Sequence, residues 1–319
     1  MSDYRELHQR IEGGEVLLLD GAVGTELQAL GVTIGVGAWA GTAQHTHPDT
    51  VRFMHERYIR AGVDIVTTNT YSTARHCLER IGLGDLTREL NLRAAVLAQE
   101  ARTRAANGRP LWIAGSVSNY GILTGGETLP GRLERGWTAL DPGAYRAHLH
   151  EQARILAESG VDLLLAESTG ATEHRRWVVE ACLATGLPVW PGFKAHAAED
   201  GALRTGHASD ESFADGLDAI LPLGGEVMSI FHTTVDATGQ CLAVLREKWP
   251  GPIAVYPDAD RTDYVSPQAD AAVGNRDTPE DFAVHARRWV EEGAQIVGGC
   301  CGFGVEYIEP LRESLPKRR

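Results

Sequence analysis

Two adjacent cysteines, Cys300 and Cys301, stand between glycines in the stretch QIVGGCCGFG near the end of the chain. Thiolate sulfur and imidazole nitrogen are ligand types that zinc prefers. His232 closes the apolar run EVMSIFH, and the alternation of elements described below brings it to the same end of the fold as the cysteine pair. Three protein ligands with an open fourth position describe a catalytic zinc site, so the expected chemistry is a Zn2+ ion held by His232, Cys300 and Cys301. Gly298, Gly299 and Gly302 would let the backbone turn tightly enough for consecutive sulfurs to face one ion, which the alternating side chains of a regular strand forbid. Adjacent cysteines are not a usual zinc spacing, and two competing readings stand beside the metal: buried cysteines acting as small hydrophobes, and a hydrogen-bonded pocket histidine. Cys77, Cys182 and Cys241 lie in helical patterns and read as packing residues. Cys241 is a reserve ligand only if the chain after His232 folds back.

Positioning these residues falls to eight short β-rich runs: VLLLDGA, VDIVTTNTY, LWIAGSV, VDLLLAEST, LPVWPGFKA, EVMSIFH, PIAVYPDA and AQIVGGCC. Helical patterns separate them, with start and stop signals such as Pro48 and Gly62 around HPDTVRFMHERYIRAG, and Gly160 closing DPGAYRAHLHEQARILAESG. Near-continuous apolar strands, each followed by a helix, predict a single α/β domain over residues 1–319, a (β/α)8 TIM barrel, with an open doubly wound sheet as the structural alternative. In a barrel every strand's C-terminal end faces one mouth. Asp20, Gly21, Asn69, Tyr71, Glu167, Lys194, His232, Asp258, Cys300 and Cys301 all fall at such ends and form one candidate site. Lys194 and Asp258 would pair with each other, or read a carboxylate or a cation on a substrate. Two long segments after strands, 118–140 and 258–278, are expected to build loops over the mouth.

Composition narrows the partners. The chain of 319 residues carries 30 basic and 43 acidic side chains, a net charge of -13, which argues against nucleic acid. No apolar run approaches the roughly 20 residues needed to span a bilayer, and MSDYRELHQRIEGGE lacks the apolar core of a secretory signal. A cytoplasmic protein without membrane contact is expected, and an oligomer is compatible with the composition. Five cysteines, an odd number in a chain too large to need stapling, read as reduced thiols.

The segments LLLDGAVGTEL, TTNTY, AGSVSNYG, VDLLLAEST and above all PEDFAVHARRWVEEGAQIVGGCCGFGVEYI resemble, in order and over nearly the whole chain, the homocysteine S-methyltransferase family. That family contains betaine- and S-methylmethionine-dependent enzymes and the homocysteine module of methionine synthase. The resemblance implies a TIM barrel in which Cys300 and Cys301 bind zinc, while Asp20, Gly21 and Glu167 hold the amino group and neighbouring atoms of an amino-acid thiol. Carboxylates at the mouth suit an ammonium group; helix capping or internal ion pairing is their alternative role.

Departures from the family pattern concentrate at the mouth. The third zinc-binding cysteine of the family ends the sixth strand, where this chain reads Ser229-Ile230-Phe231-His232. Imidazole in place of thiolate removes one negative charge from the ion's surroundings, which lowers a bound thiol's pKa further and makes its thiolate a poorer nucleophile. YPDAD stands where the family tends toward YPNAG, GFKAH where a Ser/Thr-rich pattern is usual, and SVSNYG where a Gly-Pro-x-Gly-like loop occurs. The expected activity is zinc-dependent methyl transfer from a small sulfonium or quaternary ammonium donor to a thiol, with homocysteine giving methionine. The alternatives are another thiol or selenol acceptor, a demethylase, or a barrel that only binds. A cationic donor invites aromatic walls, for which Trp39, Tyr71, Tyr120, Trp137 and Tyr256 lie near strand ends or mouth loops.

Overall fold

The computed structural model describes residues 3–35, 37–122, 139–206, 209–259 and 277–316. Its strands follow the expected runs, trimmed to their most apolar residues: β1 Leu17–Leu18, β2 Ile65–Thr67, β3 Trp112–Ser118, β4 Leu163–Ser168 and β5 Val189–Phe193. A short antiparallel hairpin, β6 Ala195–Ala197 with β7 Leu203–Thr205, comes next, and β8 Met228–Thr234, β9 Ile253–Asp258 and β10 Ile296–Val297 complete the chain. The eight long-range strands form one parallel sheet in the order β1-β10-β9-β8-β5-β4-β3-β2. Its two ends meet: Leu19 bridges Ile65, Asp20 N donates to Ile65 O at 3.0 Å, and Asp64 N donates to Leu18 O at 2.8 Å. The sheet therefore closes as a barrel, and the order lacks the reversal that an open doubly wound sheet requires.

Side-chain parity follows from the closure. Trp112, Ala114, Leu163, Leu165, Trp190, Phe231, Ala254, Tyr256 and Ile296 fill the barrel interior as one apolar cluster. The alternate residues Ile113, Leu164, Val189, Ile230, Val255 and Val297 face the helices. An N-terminal helix, Tyr4–Glu12, plugs the bottom, with Leu7 and Ile11 buried in the interior cluster. Its polar ties are specific: Trp190 Nε1 donates to Tyr4 Oη at 3.0 Å, and Arg10 reaches Asp64 at 3.2 Å.

The outer helices begin and end where their sequence signals sit. Pro48–Ala61 starts on its proline and stops at Gly62, whose φ of 115° suits glycine. Pro142–Glu158 is capped by Asp141, whose side chain accepts from Gly143 N. Most of the two long mouth segments, including Trp137, lies outside the described residues.

Candidate metal centre

Strand parity aims the candidate residues. On β4, Leu163 and Leu165 point inward, so Glu167 does too; on β9 the same count carries from Ala254 and Tyr256 to Asp258; after β5, Trp190 leads to Lys194. His232 breaks the rule. Ser229 and Phe231 face inward and Ile230 outward, so a regular strand would turn His232 toward the helices. Instead the register of β8 against β9 shifts between Phe231 and Thr234, and His232 takes a left-handed φ of 48°. A conformation of this kind costs a non-glycine residue about 1–3 kcal/mol, and a bulge re-aims a side chain at the end of a strand.

The re-aimed imidazole meets the cysteine pair. Cys300 Sγ lies 3.5 Å from His232 Nδ1 and 4.0 Å from Cys301 Sγ, and one ligand atom from each residue falls within 4.8 Å of the others. A tetrahedral zinc ion, with bonds of about 2.3 Å to sulfur and 2.0 Å to nitrogen, separates two sulfurs by about 3.8 Å and sulfur from nitrogen by about 3.5 Å. The donor set and its spacing fit zinc. Among the described residues this is the one such cluster of three. Cys241 stays fully buried in the helix Val235–Lys248 and is not part of it, nor are the buried Cys77 and Cys182.

Backbone geometry explains how consecutive cysteines reach one point. Gly299 N donates to Asp20 O (3.1 Å), Cys300 N to Pro257 O (2.7 Å), Ala259 N to Cys301 O (2.9 Å) and Phe303 N to Cys300 O (3.1 Å). These bonds fold the chain into a turn directly after β10, helped by Gly302 at φ 85°. Gly298 is required for a different reason: a Cβ there would stand 2.7 Å from Asp20 O and 2.8 Å from Leu19 Cβ. Gly21 meets the same turn, since its Cβ would lie 2.3 Å from Phe303 O.

The electrostatics are those of a site built around ions. The hydrogen bond from Cys300 holds the Cys301 thiol below its ordinary range, with His232 assisting against burial, while Cys300 is pushed up by facing Cys301 and by burial. Burial pulls the His232 pKa down, but Asp258 and Cys301 outweigh it and the net shift is upward. Asp258 Oδ2 sits 3.3 Å from His232 Nδ1, and Lys194 Nζ donates to His232 O at 2.7 Å. Lys194 and Asp258 were expected to pair directly or to read a substrate. Among the described residues no direct ion pair joins them, Asp258 favours the Lys194 charge at longer range, and both also contact His232. Burial lowers the Lys194 pKa.

Two further buried carboxyls, Asp20 after β1 and Glu167 on β4, stand at the same mouth. Burial pushes Asp20 up to about 8, although Thr67 donates to it from both N (2.7 Å) and Oγ1 (2.8 Å). Burial likewise pushes Glu167 to about 7, against a hydrogen bond from Ser116 Oγ. The like charge of Glu167 adds to the Asp20 shift. Thr67 and Ser116 were missed in the sequence; the available signal was a polar residue at an inward position near a strand end.

The remaining candidates divide. Asn69 Nδ2 is spent on Ala40 O and Gln44 Oε1, both at 2.8 Å, and ties down the loop after β1. The Tyr71 and Tyr120 rings face each other at 5.8 Å and 54°, and Tyr71 feels the charges of Glu167 and both cysteines. Tyr256 belongs to the barrel interior against Phe231, and Trp39 packs its indole over Gly24.

The chain also resembles known proteins over nearly its whole length. The sequence profile of the homocysteine S-methyltransferase family matches residues 17–315. The chain is 27% identical to a selenocysteine methyltransferase of Astragalus bisulcatus, over 97% of this chain and 94% of that protein. It is 26% identical to a homocysteine S-methyltransferase of Escherichia coli (strain K12), over 98% and 99%. The metallated form of the homocysteine methyltransferase MmuM from Escherichia coli superposes with a TM-score of 0.75 at 23% identity, covering 96% of this chain and 99% of that one, and shares the fold. With the profile spanning almost its full length and the paired cysteines at the mouth of the expected barrel, the chain belongs to the homocysteine S-methyltransferase family.

Proposed function

We propose that the protein is a zinc-dependent S-methyltransferase that carries a methyl group from a small sulfonium or quaternary ammonium donor to homocysteine, giving methionine. The observation that carries this reading is the spacing of His232, Cys300 and Cys301, which suits a tetrahedral ion with one position left for a thiol. Zinc bound there supplies a Lewis acid that keeps an incoming thiol ionised at neutral pH.

Asp20 and Glu167 receive the amino group of the acceptor. Both are buried and proton-loaded near neutrality, so an arriving ammonium drives their protons off and pairs with the carboxylates in a low-dielectric setting. That pairing fixes the distance between the amino group and the sulfur. The sulfur lone pair forms the new S–CH3 bond while the donor leaves with the old bonding pair as a neutral sulfide or tertiary amine. No general base is needed once the thiol is ionised, and orientation supplies much of the rate. The Tyr71 and Tyr120 rings offer faces to the onium carbon before transfer. The reaction requires reduced thiols, which suits a reducing compartment such as the cytoplasm.

A selenol acceptor is the second reading, favoured by the 27% identity to a selenocysteine methyltransferase. Assay of homocysteine, cysteine and selenocysteine against methylated sulfonium and ammonium donors, read by mass, tests both. Methionine formed fastest supports the first; methylselenocysteine as the main product selects the second, and no methylated product with any pair rejects the function.

A further inference from the structure

Lys194 carries a charge that burial opposes and its neighbours support. The residue is 6% exposed, so its ammonium has lost most of its hydration, and Asp258, Cys300 and Cys301 favour the charged form. Its hydrogen bond runs to the carbonyl of His232, the residue whose left-handed bulge aims the imidazole at the cysteines. A second link flanks the same bulge: Ala195 N donates to Thr233 Oγ1 at 3.0 Å, and Thr233 Oγ1 donates to Phe231 O at 3.1 Å. The end of β5 thus grips the end of β8 on both sides of His232, while Asp258 Oδ2 faces the imidazole from β9. A carbonyl turned off the sheet ladder by a bulge needs a donor, and at this position the donor is the lysine ammonium.

We propose that Lys194 is a positioning residue for the metal centre, holding His232 in its left-handed conformation so that the imidazole joins Cys300 and Cys301 as a ligand. The proposal rests on the metal-centre reading above. Its dependence on His232 separates it from a purely electrostatic role: a charge effect on Cys300 and Cys301 would persist without the imidazole, whereas a clamp on His232 would not.

Cobalt(II) titration of the metal-free protein, followed by visible absorption, reads both affinity and ligand geometry. Lys194→Met is expected to weaken cobalt binding about 10- to 100-fold, the range typical of outer-shell partners, and Lys194→Arg to recover part of it. In a His232→Ala background, Lys194→Met should cause no further weakening, because the ligand it serves is gone. Tighter or unchanged binding in Lys194→Met, or the same weakening with and without His232, would overturn the proposal. If Lys194→Met fails to fold by circular dichroism, Lys194→Gln, too short to reach the His232 carbonyl, decides: weaker binding with a displaced cobalt spectrum supports the clamp, and an unaltered spectrum and affinity overturns it. Wild-type protein that takes up no cobalt would instead reject the metal centre itself, and the clamp with it.

Discussion

At the scale of single residues, His232 is the position on which the proposed metal centre turns. As a ligand its imidazole would leave a bound ion one negative charge short of a three-thiolate site, and Asp258 stands 3.3 Å from Nδ1. His232→Ala should weaken zinc by well over the 10- to 100-fold that loss of an outer-shell partner typically costs, as read by competition with a chromophoric chelator. Unchanged affinity would remove His232 from the ligand set. Asp20 and Glu167 make a second prediction, about protons. Both carboxyls have folded-state pKa values above their ordinary ones, about 8 and about 7, so near pH 7 they hold protons that a bound ammonium expels. Methionine, which has no thiol to ionise, should therefore release about one proton on binding at pH 7, measured by calorimetry in buffers of different ionisation enthalpy. Asp20→Asn should remove most of that release, and proton uptake would contradict the assignment. The sequence made Asp20, Glu167 and the cysteine pair visible because charged or sulfur-bearing residues at the ends of apolar runs are conspicuous. Thr67 and Ser116, which hold the carboxyls in place, were not, since a hydroxyl in a strand is equally at home in a sheet ladder.

Among the elements, strand parity and its single violation matter most. Glu167, Lys194 and Asp258 point into the mouth because interior residues two and four positions earlier do, so their orientation was legible from alternation alone. His232 was legible as a candidate but not as a bulge: a register shift depends on what the neighbouring segment offers, here the Lys194 ammonium and the Ala195 N–H, and no local pattern announces it. The hairpin of β6 and β7 and the plugging role of the helix Tyr4–Glu12 were likewise unread, the first because its strands are three residues each, the second because docking is a tertiary fact. The turn after β10 gives a prediction at this scale. Gly298→Ala places a methyl group against Asp20 O and Leu19 Cβ, both too rigid to yield. We expect a loss of about 1–3 kcal/mol in urea denaturation, the usual cost of overpacking, together with weaker zinc binding because the cysteine turn must move. A variant as stable as wild type, with zinc retained, would contradict that reading of the turn.

For the molecule as a whole, closure of the barrel turns residues scattered from Asp20 to Cys301 into one site. The alternation of apolar runs with helices predicted this, and the contact of Leu19 with Ile65 completes it. The acidic balance of the chain, -13, suits cationic donors at long range, though salt screens most of that field. Among the described residues no helix is long and apolar enough to cross a membrane. The central claim is that His232, Cys300 and Cys301 hold a zinc ion whose remaining position takes the acceptor's sulfur. X-ray absorption at the zinc edge tests it most directly. The account predicts two sulfurs and one nitrogen from the protein around the ion, with a third sulfur appearing when homocysteine is added. A shell without nitrogen from His232, or one that homocysteine leaves unchanged, would contradict it.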